Sequence, residues 1–165
     1  MRKQKGFSLI ELLIVVAIIL IIAAIAIPNL LRSRIAANEA SAVGSMRTIN
    51  TAEVTYASTY PEQGFATSLG LLGGTGTTAA TSDHALLLDE VLGKAGGYDL
   101  SSANPKSGYK FYVTAAGTIP IPTYATNGDP ITADTTGKRY FFSDASGVIR
   151  YNATGVADAT ALPLQ

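Results

Sequence analysis

The hydrophobic pattern of this chain is dominated by its N-terminal segment. Sixteen consecutive apolar residues occupy positions 12–27, and the apolar stretch reaches back to Phe7 with Ser8 and Glu11 as its interruptions. A helix of about twenty apolar residues crosses the hydrocarbon layer of a bilayer. The pattern therefore predicts a membrane-spanning helix over residues 7–28.

Basic residues set the predicted orientation of this helix. The short segment before it, residues 1–6, carries Arg2, Lys3 and Lys5. Because an excess of positive charge stays on the cytoplasmic side, the chain beyond about Asn29 is predicted to lie outside the cytoplasm.

A cleavable secretory signal is the alternative for this segment, since residues 24–26, Ala-Ile-Ala, supply a small-x-small cleavage pattern. The apolar run is long for such a signal, and Glu11 places a carboxylate where the signal must be apolar. A membrane anchor accommodates Glu11 better, because the residue is about one helical turn from the cytoplasmic end and can reach the interface.

Pro28 follows the apolar run directly. Proline has no N–H to donate to the carbonyl of Ala24, and it disfavours helical angles at Ile27. The sequence therefore predicts a kink or a locally melted turn at Pro28. A simple marker of the membrane interface is the alternative interpretation.

Residues 29–60 show the spacing of an amphipathic helix. The apolar side chains that recur on one face are Ile35, Ala42, Met46, Ile49, Tyr56 and Tyr60. The residues interpreted as polar positions include Glu39, Arg47 and Glu53. Pro61 predicts the end of the helix. Its apolar stripe is expected to pack on a globular head formed by residues 61–165.

The first part of the head is rich in Gly, Thr, Ser and Ala, and residues 61–83 predict a surface loop. A phosphate-binding loop is excluded because no Gly-Lys-Ser/Thr follows the glycines. Residues 84–94, HALLLDEVLGK, predict a short helix. His84 beside Asp83 then belongs to the N-terminal cap of that helix rather than to a catalytic dyad, since no nucleophile can be paired with it.

The second part of the head shows strand patterns. Apolar and polar residues alternate over 109–114, which predicts a strand. Residues 139–152 predict a β-hairpin around a turn that ends at Gly147. Residues 119–122, Ile-Pro-Ile-Pro, predict an edge strand or a connector. The fold class is therefore α+β: a long N-terminal helix, half apolar and half amphipathic, packed against an antiparallel sheet of three or four strands.

The amino-acid composition excludes several kinds of binding and catalytic site. Twelve basic residues balance twelve acidic ones, so no overall positive field attracts nucleic acid. The chain has no cysteine and one histidine, which excludes disulfides, thiol nucleophiles and zinc sites built from Cys and His clusters.

The sequence KGFSLIELLIVVAII resembles the class III signal and N-terminal helix of type IV pilins and related pseudopilins. In that family a short basic leader ends in Gly, the next residue is usually Phe, and a Glu follows four positions later. Gly6, Phe7 and Glu11 match this pattern, which covers about the first 35 residues closely. The resemblance implies that a prepilin peptidase cuts between Gly6 and Phe7 and methylates the new amine of Phe7.

The resemblance also implies an assembly role for Glu11. Apolar helices gain little by packing on one another instead of on lipid. The amine of a mature Phe7 is cationic at neutral pH, and in a filament it can neutralise the Glu11 carboxylate of a neighbouring helix. A carboxylate in contact with water at the membrane interface is the alternative.

Segments of the head are similar to C-terminal segments of many pilins and major pseudopilins. Many pilins close this region with a disulfide, which a chain without cysteine cannot form. Major pseudopilins similar to this chain bind calcium in this region, where Asp129, Asp134 and Asp144 occupy predicted turns. No Asp-x-Asp-x-Asp loop supports such a site, so solvated turn aspartates are preferred and no metal or other cofactor is predicted.

The preferred hypothesis is a major structural subunit of a type IV pilus and not an enzyme. Its predicted partners are the inner membrane before assembly, the prepilin peptidase, the pilus assembly motor and platform, and further copies of itself in a surface filament. One alternative is the major pseudopilin of a type II secretion system. Another is a membrane-anchored periplasmic binding or enzyme domain that does not polymerise.

Overall fold

A computed structural model describes residues 7–74, 79–93 and 104–164 of the chain. The predicted leader, residues 1–6, and the end of the predicted helix at Lys94 lie outside the described residues. The chain divides into two compact units, Met1–Arg34 and Ile35–Gln165.

Helix α1 spans Leu9–Thr59, 51 residues, and includes both predicted helical segments. It ends where Pro61 predicts, with a last bond of 2.8 Å from Tyr60 N–H to the Tyr56 carbonyl. Pro28 lies inside the helix, so the locally melted turn is wrong. Proline removes one backbone donor, and the helix continues on both sides of it. A kink at Pro28 stays a prediction.

The first unit presents an uncovered apolar surface. Side chains from Phe7 to Arg34 are exposed, apart from a half-buried Ala23. Among the described residues, α1 is the one helix long and apolar enough to cross a membrane, with a mean hydropathy of 3.3 over its most apolar window.

The second unit contains a six-stranded antiparallel sheet in which neighbours in sequence are neighbours in space. The strands are β1 (Asn104–Lys106), β2 (Tyr109–Ala116), β3 (Thr123–Pro130), β4 (Tyr140–Asp144), β5 (Arg150–Asn152) and β6 (Leu162–Pro163). The α+β fold class, the strand at residue 109 and the hairpin are confirmed. The expected strand number was too low, because β3 and the two short edge strands were missed.

The hairpin turn follows from local chemistry. Gly147 adopts a positive φ of 72°, and its N–H donates to the Asp144 carbonyl at 2.9 Å. A glycine reaches this conformation without the clash that a Cβ would cause. Residues 119–122 form the predicted connector, between β2 and β3.

The core lies between α1 and one face of the sheet. The helix contributes Ala42, Met46, Ile49 and Tyr56, as its stripe predicts. The sheet contributes Tyr109, Phe111, Val113, Tyr124 and Phe141. Ile35 and Tyr60, also placed on the stripe, are half-buried. Glu39 and Glu53 are buried with these apolar residues, so their interpretation as polar surface positions was wrong.

The segment between helix and sheet also differs from its prediction. Residues 69–72 form a short helix, α2 (Leu69–Leu72), and Ala66, Leu69 and Leu72 are buried, so this is not simply a surface loop. No helix forms over residues 84–93, the described part of the predicted one. The N–H groups of residues 85–88 instead bond to carbonyls of residues 71–73, which prevents helical pairing there.

Candidate functional site

The N-terminal turn of α1 positions Glu11. The Ser8 N–H donates to Glu11 Oε2 at 2.9 Å, and the Leu12 N–H donates to the Ser8 carbonyl at 3.2 Å. Ser8 thus stands at the N-cap and Glu11 three residues further on, where an acidic side chain reaches back to the cap. One bond leaves acceptor capacity on the Glu11 carboxylate for a further donor.

Apolar residues precede and follow Glu11 along the helix. Phe7 is 82% exposed, and the large apolar residues that follow it along the helix are exposed as well. Soluble monomers rarely expose a continuous apolar surface of this length, so the surface indicates a membrane or another protein as its environment. The exposed Phe7 is accessible to a processing enzyme, while Gly6 lies outside the described residues.

The three aspartates considered for calcium do not form one site. Asp129 is not in a turn: it lies buried in β3, where the Tyr112 hydroxyl donates to its Oδ2 at 3.1 Å. Asp144 pairs with Ala125, four residues before Asp129 along β3, which separates the two backbones by roughly 13 Å. Asp134 is exposed in the turn after β3. In the described part of the chain, no group of three or more His, Cys, Asp or Glu residues could hold a metal ion.

The environments of these aspartates also differ electrostatically. Burial raises the pKa of Asp129, and the hydrogen bond from Tyr112 and the positive charge of the nearby Lys110 only partly offset this effect. Asp144 is the opposite case, since hydrogen bonds from Ser146 lower its pKa. His84, the other titratable residue considered from sequence, is exposed, and its backbone N–H bonds to the Thr81 carbonyl.

Sequence reasoning missed an ion pair that fastens α1 to the sheet. Glu39 Oε1 accepts the N–H groups of Lys138 and Arg139 at 2.9 and 3.1 Å, and its Oε2 accepts the Arg139 Nε at 2.8 Å. The guanidinium also lies over the rings of Phe141 and Tyr151, 5.7 and 5.4 Å from their centroids. Although burial opposes ionisation, these bonds prevail and lower the pKa of Glu39.

Replacing Glu39 with alanine is expected to lower the free energy of unfolding by about 2–3 kcal/mol, because two backbone donors and a guanidinium lose their acceptor. A lowered pKa means that this stabilisation is present above the unfolded value of 4.5 and is lost as pH falls through the folded value. Urea unfolding of the full chain in detergent at pH 7 and pH 4 measures both effects. A variant with unchanged stability at pH 7 would contradict this role, and the exposed Glu62→Ala serves as the control.

Comparisons with known proteins agree with the N-terminal motif. Residues 1–27 match the family model described as the prokaryotic N-terminal methylation motif. The chain is 67% identical over 39 residues to the type IV wide pilus major component PilA4 of Thermus thermophilus, covering 24% of this chain and 30% of that protein. It is 38% identical over 88 residues to the type IV major pilin protein PilA of Myxococcus xanthus, covering 49% of this chain and 40% of that protein.

These matches confirm the resemblance to type IV pilins and support a type IV pilin subunit. They span less than half the length of each relative. Both relatives are named as pilus proteins, not as enzymes. No solved structure matches this chain significantly. The methylation motif and the apolar helix together fit a membrane-anchored precursor.

Proposed function

We propose that this chain is the major structural subunit of a type IV pilus: a prepilin held in the inner membrane, cut between Gly6 and Phe7, methylated on Phe7 and polymerised into a surface filament. The observation that carries the proposal is the N-terminal methylation motif on a helix whose large apolar side chains are exposed from Leu9 to Leu31. The head supplies the solvated exterior of the filament, since its own core is already closed.

Glu11 provides the selectivity of assembly in this proposal. Lipid tails cover the apolar surface of α1 about as well as another helix does, so apolar burial alone does not extract a subunit from the bilayer. The carboxylate of Glu11 bonds to the Ser8 amide within its own chain. A protonated Phe7 amine from a second copy adds the counterion that lipid tails lack, which lowers the cost of burying both charges. An assembly motor and platform then supply the work of extraction.

Electron microscopy of material sheared from cells, combined with identification of the subunit's first residue, tests this proposal. Filaments whose subunit begins with methylated Phe7 are expected. Short periplasmic assemblies whose head requires calcium to fold would indicate the secretion pseudopilin instead. A processed subunit that stays monomeric at every concentration would indicate a membrane-anchored domain that does not polymerise.

A Gly6→Val variant is expected to keep residues 1–6, because a peptidase that approaches the backbone closely at glycine meets a branched side chain. Intact-mass measurement of the membrane-bound subunit gives the result directly. Lys3→Gln, which changes the leader away from the cut, is the control and should be processed. Processing of the Gly6 variant to the wild-type mature mass would contradict the proposed cleavage position.

A further inference from the structure

Glu53 is a carboxylic acid enclosed in the core without a cation. Its side chain is fully buried on α1. Its Oε2 accepts the Ala66 N–H at 2.9 Å, whereas Oε1 has no hydrogen-bond partner. The two salt bridges among the described residues join other pairs, so no ammonium or guanidinium neutralises this group. An ionised carboxylate here would bear a cost of desolvation that one backbone hydrogen bond only partly offsets.

The described groups near Glu53 include no cation that would stabilise its ionised form. Tyr56 lies one turn further along α1 and Tyr124 lies on β3, and the charge of Glu53 raises the pKa of both, in addition to the effect of burial. Two further acids act on these tyrosines, Asp83 on Tyr56 and Asp144 on Tyr124. Among the described residues, the carboxylates that act on these two tyrosines are Glu53, Asp83 and Asp144, and this acidic surrounding favours the neutral form of Glu53.

The Ala66 bond connects Glu53 to a part of the head that is held by separate backbone bonds and not by a continuous ladder. We name residues 61–72 the docking segment. It pairs with the sheet connector through two backbone bonds, from Phe65 N–H to the Ile121 carbonyl at 3.1 Å and from Ile121 N–H to the Gln63 carbonyl at 2.8 Å. At its other end, the Leu71 carbonyl accepts the Ala85 N–H at 2.8 Å, and the Leu72 carbonyl accepts the N–H groups of Leu87 and Leu88 at 2.7 and 3.1 Å. The helix and β3, the other elements around Glu53, are held by continuous bonded ladders. The docking segment is therefore the element that moves at lowest cost.

We infer that the Glu53 carboxyl is a proton-dependent latch: the docking segment stays closed on α1 while this group is neutral, and it opens when the group loses its proton and requires water. Opening breaks the Ala66 contact and exposes Leu69 and Leu72, which are buried in the closed head. This device is independent of the polymerisation proposed above, because all its parts belong to the second unit, Ile35–Gln165, of a single chain.

The direction of the pH dependence follows from linkage. Burial raises the pKa of Glu53 to about 8, an effect that the Ala66 bond only partly offsets, whereas an open, solvated group returns towards 4.5. The opening constant therefore rises about tenfold for each pH unit from about pH 5 to pH 8, and it is constant above pH 8, where both forms are ionised. Burial raises the pKa of Tyr124 to about 12, so that this tyrosine does not titrate within the range.

Hydrogen exchange of the full chain in detergent micelles, followed by mass spectrometry from pH 5 to pH 9, tests the latch. Rates for peptides of the docking segment are divided by the intrinsic rate at each pH to give the opening constant. Wild type should show the tenfold rise per unit and the plateau. Glu53→Gln keeps an acceptor for Ala66 N–H but cannot ionise, so its constant should not change with pH. Two controls, the exposed Glu62→Gln and the separately buried Asp129→Asn, should keep the wild-type slope in this segment.

Three results would overturn the inference: a flat wild-type profile, an unchanged slope in Glu53→Gln, or equal protection of the docking segment and β2 at every pH, since the last would mean global unfolding. If Glu53→Gln does not fold, carboxyl ¹³C NMR of the wild type decides the matter. A titration of Glu53 near pH 8 supports the latch, and one near 4.5 excludes it.

Discussion

Replacing Glu11 with alanine is expected to reduce surface filaments to background while the subunit remains processed and in the membrane. The substitution removes the one acidic side chain within the apolar part of α1, so membrane insertion becomes easier. In the proposed assembly, the variant loses the partner for the cationic Phe7 amine of an adjacent copy, and with it the advantage of a neighbouring helix over lipid. Counting filaments in sheared fractions and the subunit in membrane fractions, by immunoblot, separates assembly from insertion.

A Glu11→Gln variant distinguishes the charge of this residue from its capping bond. Glutamine can still accept the Ser8 N–H, but it offers no charge to an amine. If the charge decides assembly, Glu11→Gln fails as completely as Glu11→Ala. Normal filaments from Glu11→Gln would assign the role of Glu11 to the helix cap, and the proposed pairing with Phe7 would be wrong.

Replacing Phe141 with alanine is expected to cost about 3–5 kcal/mol of unfolding free energy, a large part of the roughly 5–15 kcal/mol of a typical domain. Phe141 is 0% exposed, its ring centroid is 5.6 Å from that of Tyr109, and the Arg139 guanidinium lies over it. Its removal opens a cavity between α1 and the sheet and leaves the ion pair of Glu39 less well supported. Urea unfolding in detergent, followed by tyrosine fluorescence because the chain has no tryptophan, measures the loss.

The adjacent Phe142 provides the matched control. It points to the opposite face of β4 and is half-buried, so Phe142→Ala should cost only about 1 kcal/mol. Equal losses for the two variants would mean that the helix-facing side of the sheet is not the principal core.

The alternation of apolar and polar residues predicted those elements that bury one face and expose the other to solvent. Strand β2 alternates in burial as it does in sequence. Strand β3 was not recognised, because TYATNGDP contains residues that favour turns. Their polar groups are satisfied by distant partners: Thr126 Oγ1 donates to the Tyr112 carbonyl at 3.3 Å, and Asn127 Nδ2 donates to the Ala157 carbonyl at 3.1 Å. A single segment does not reveal such partners.

The buried acids of α1 show a signal that was present but misinterpreted. Glu39, Ala42, Met46, Ile49, Glu53 and Tyr56 follow one another at steps of three or four, the spacing of a single helical face. Both glutamates were interpreted as polar positions because their side chains are charged. What makes Glu39 tolerable in the core is a set of donors about 100 positions away. Glu53 has no comparable set of donors, since its Oε1 has no hydrogen-bond partner.

The candidate assembly site was predictable only in part. Gly6, Phe7 and Glu11 were identified by their resemblance to a motif, and the match over residues 1–27 supports the motif. The bond from Ser8 to Glu11 could have been predicted from the Ser-x-x-Glu spacing, which is a capping pattern. The counterion proposed for Glu11 belongs to a second chain, so neither the sequence nor the fold of one chain contains it.

The ion pair between Glu39 and Arg139 has a consequence for the synthesis of the chain. The two residues are 100 positions apart, and the helical one is synthesised first. At a translation rate of about 5–20 residues per second, the inner stripe of α1 emerges roughly 5–20 seconds before the strand that will cover it. During that interval the inner stripe of α1 is not yet covered by its strand, and a slower ribosome would prolong its exposure to proteolysis.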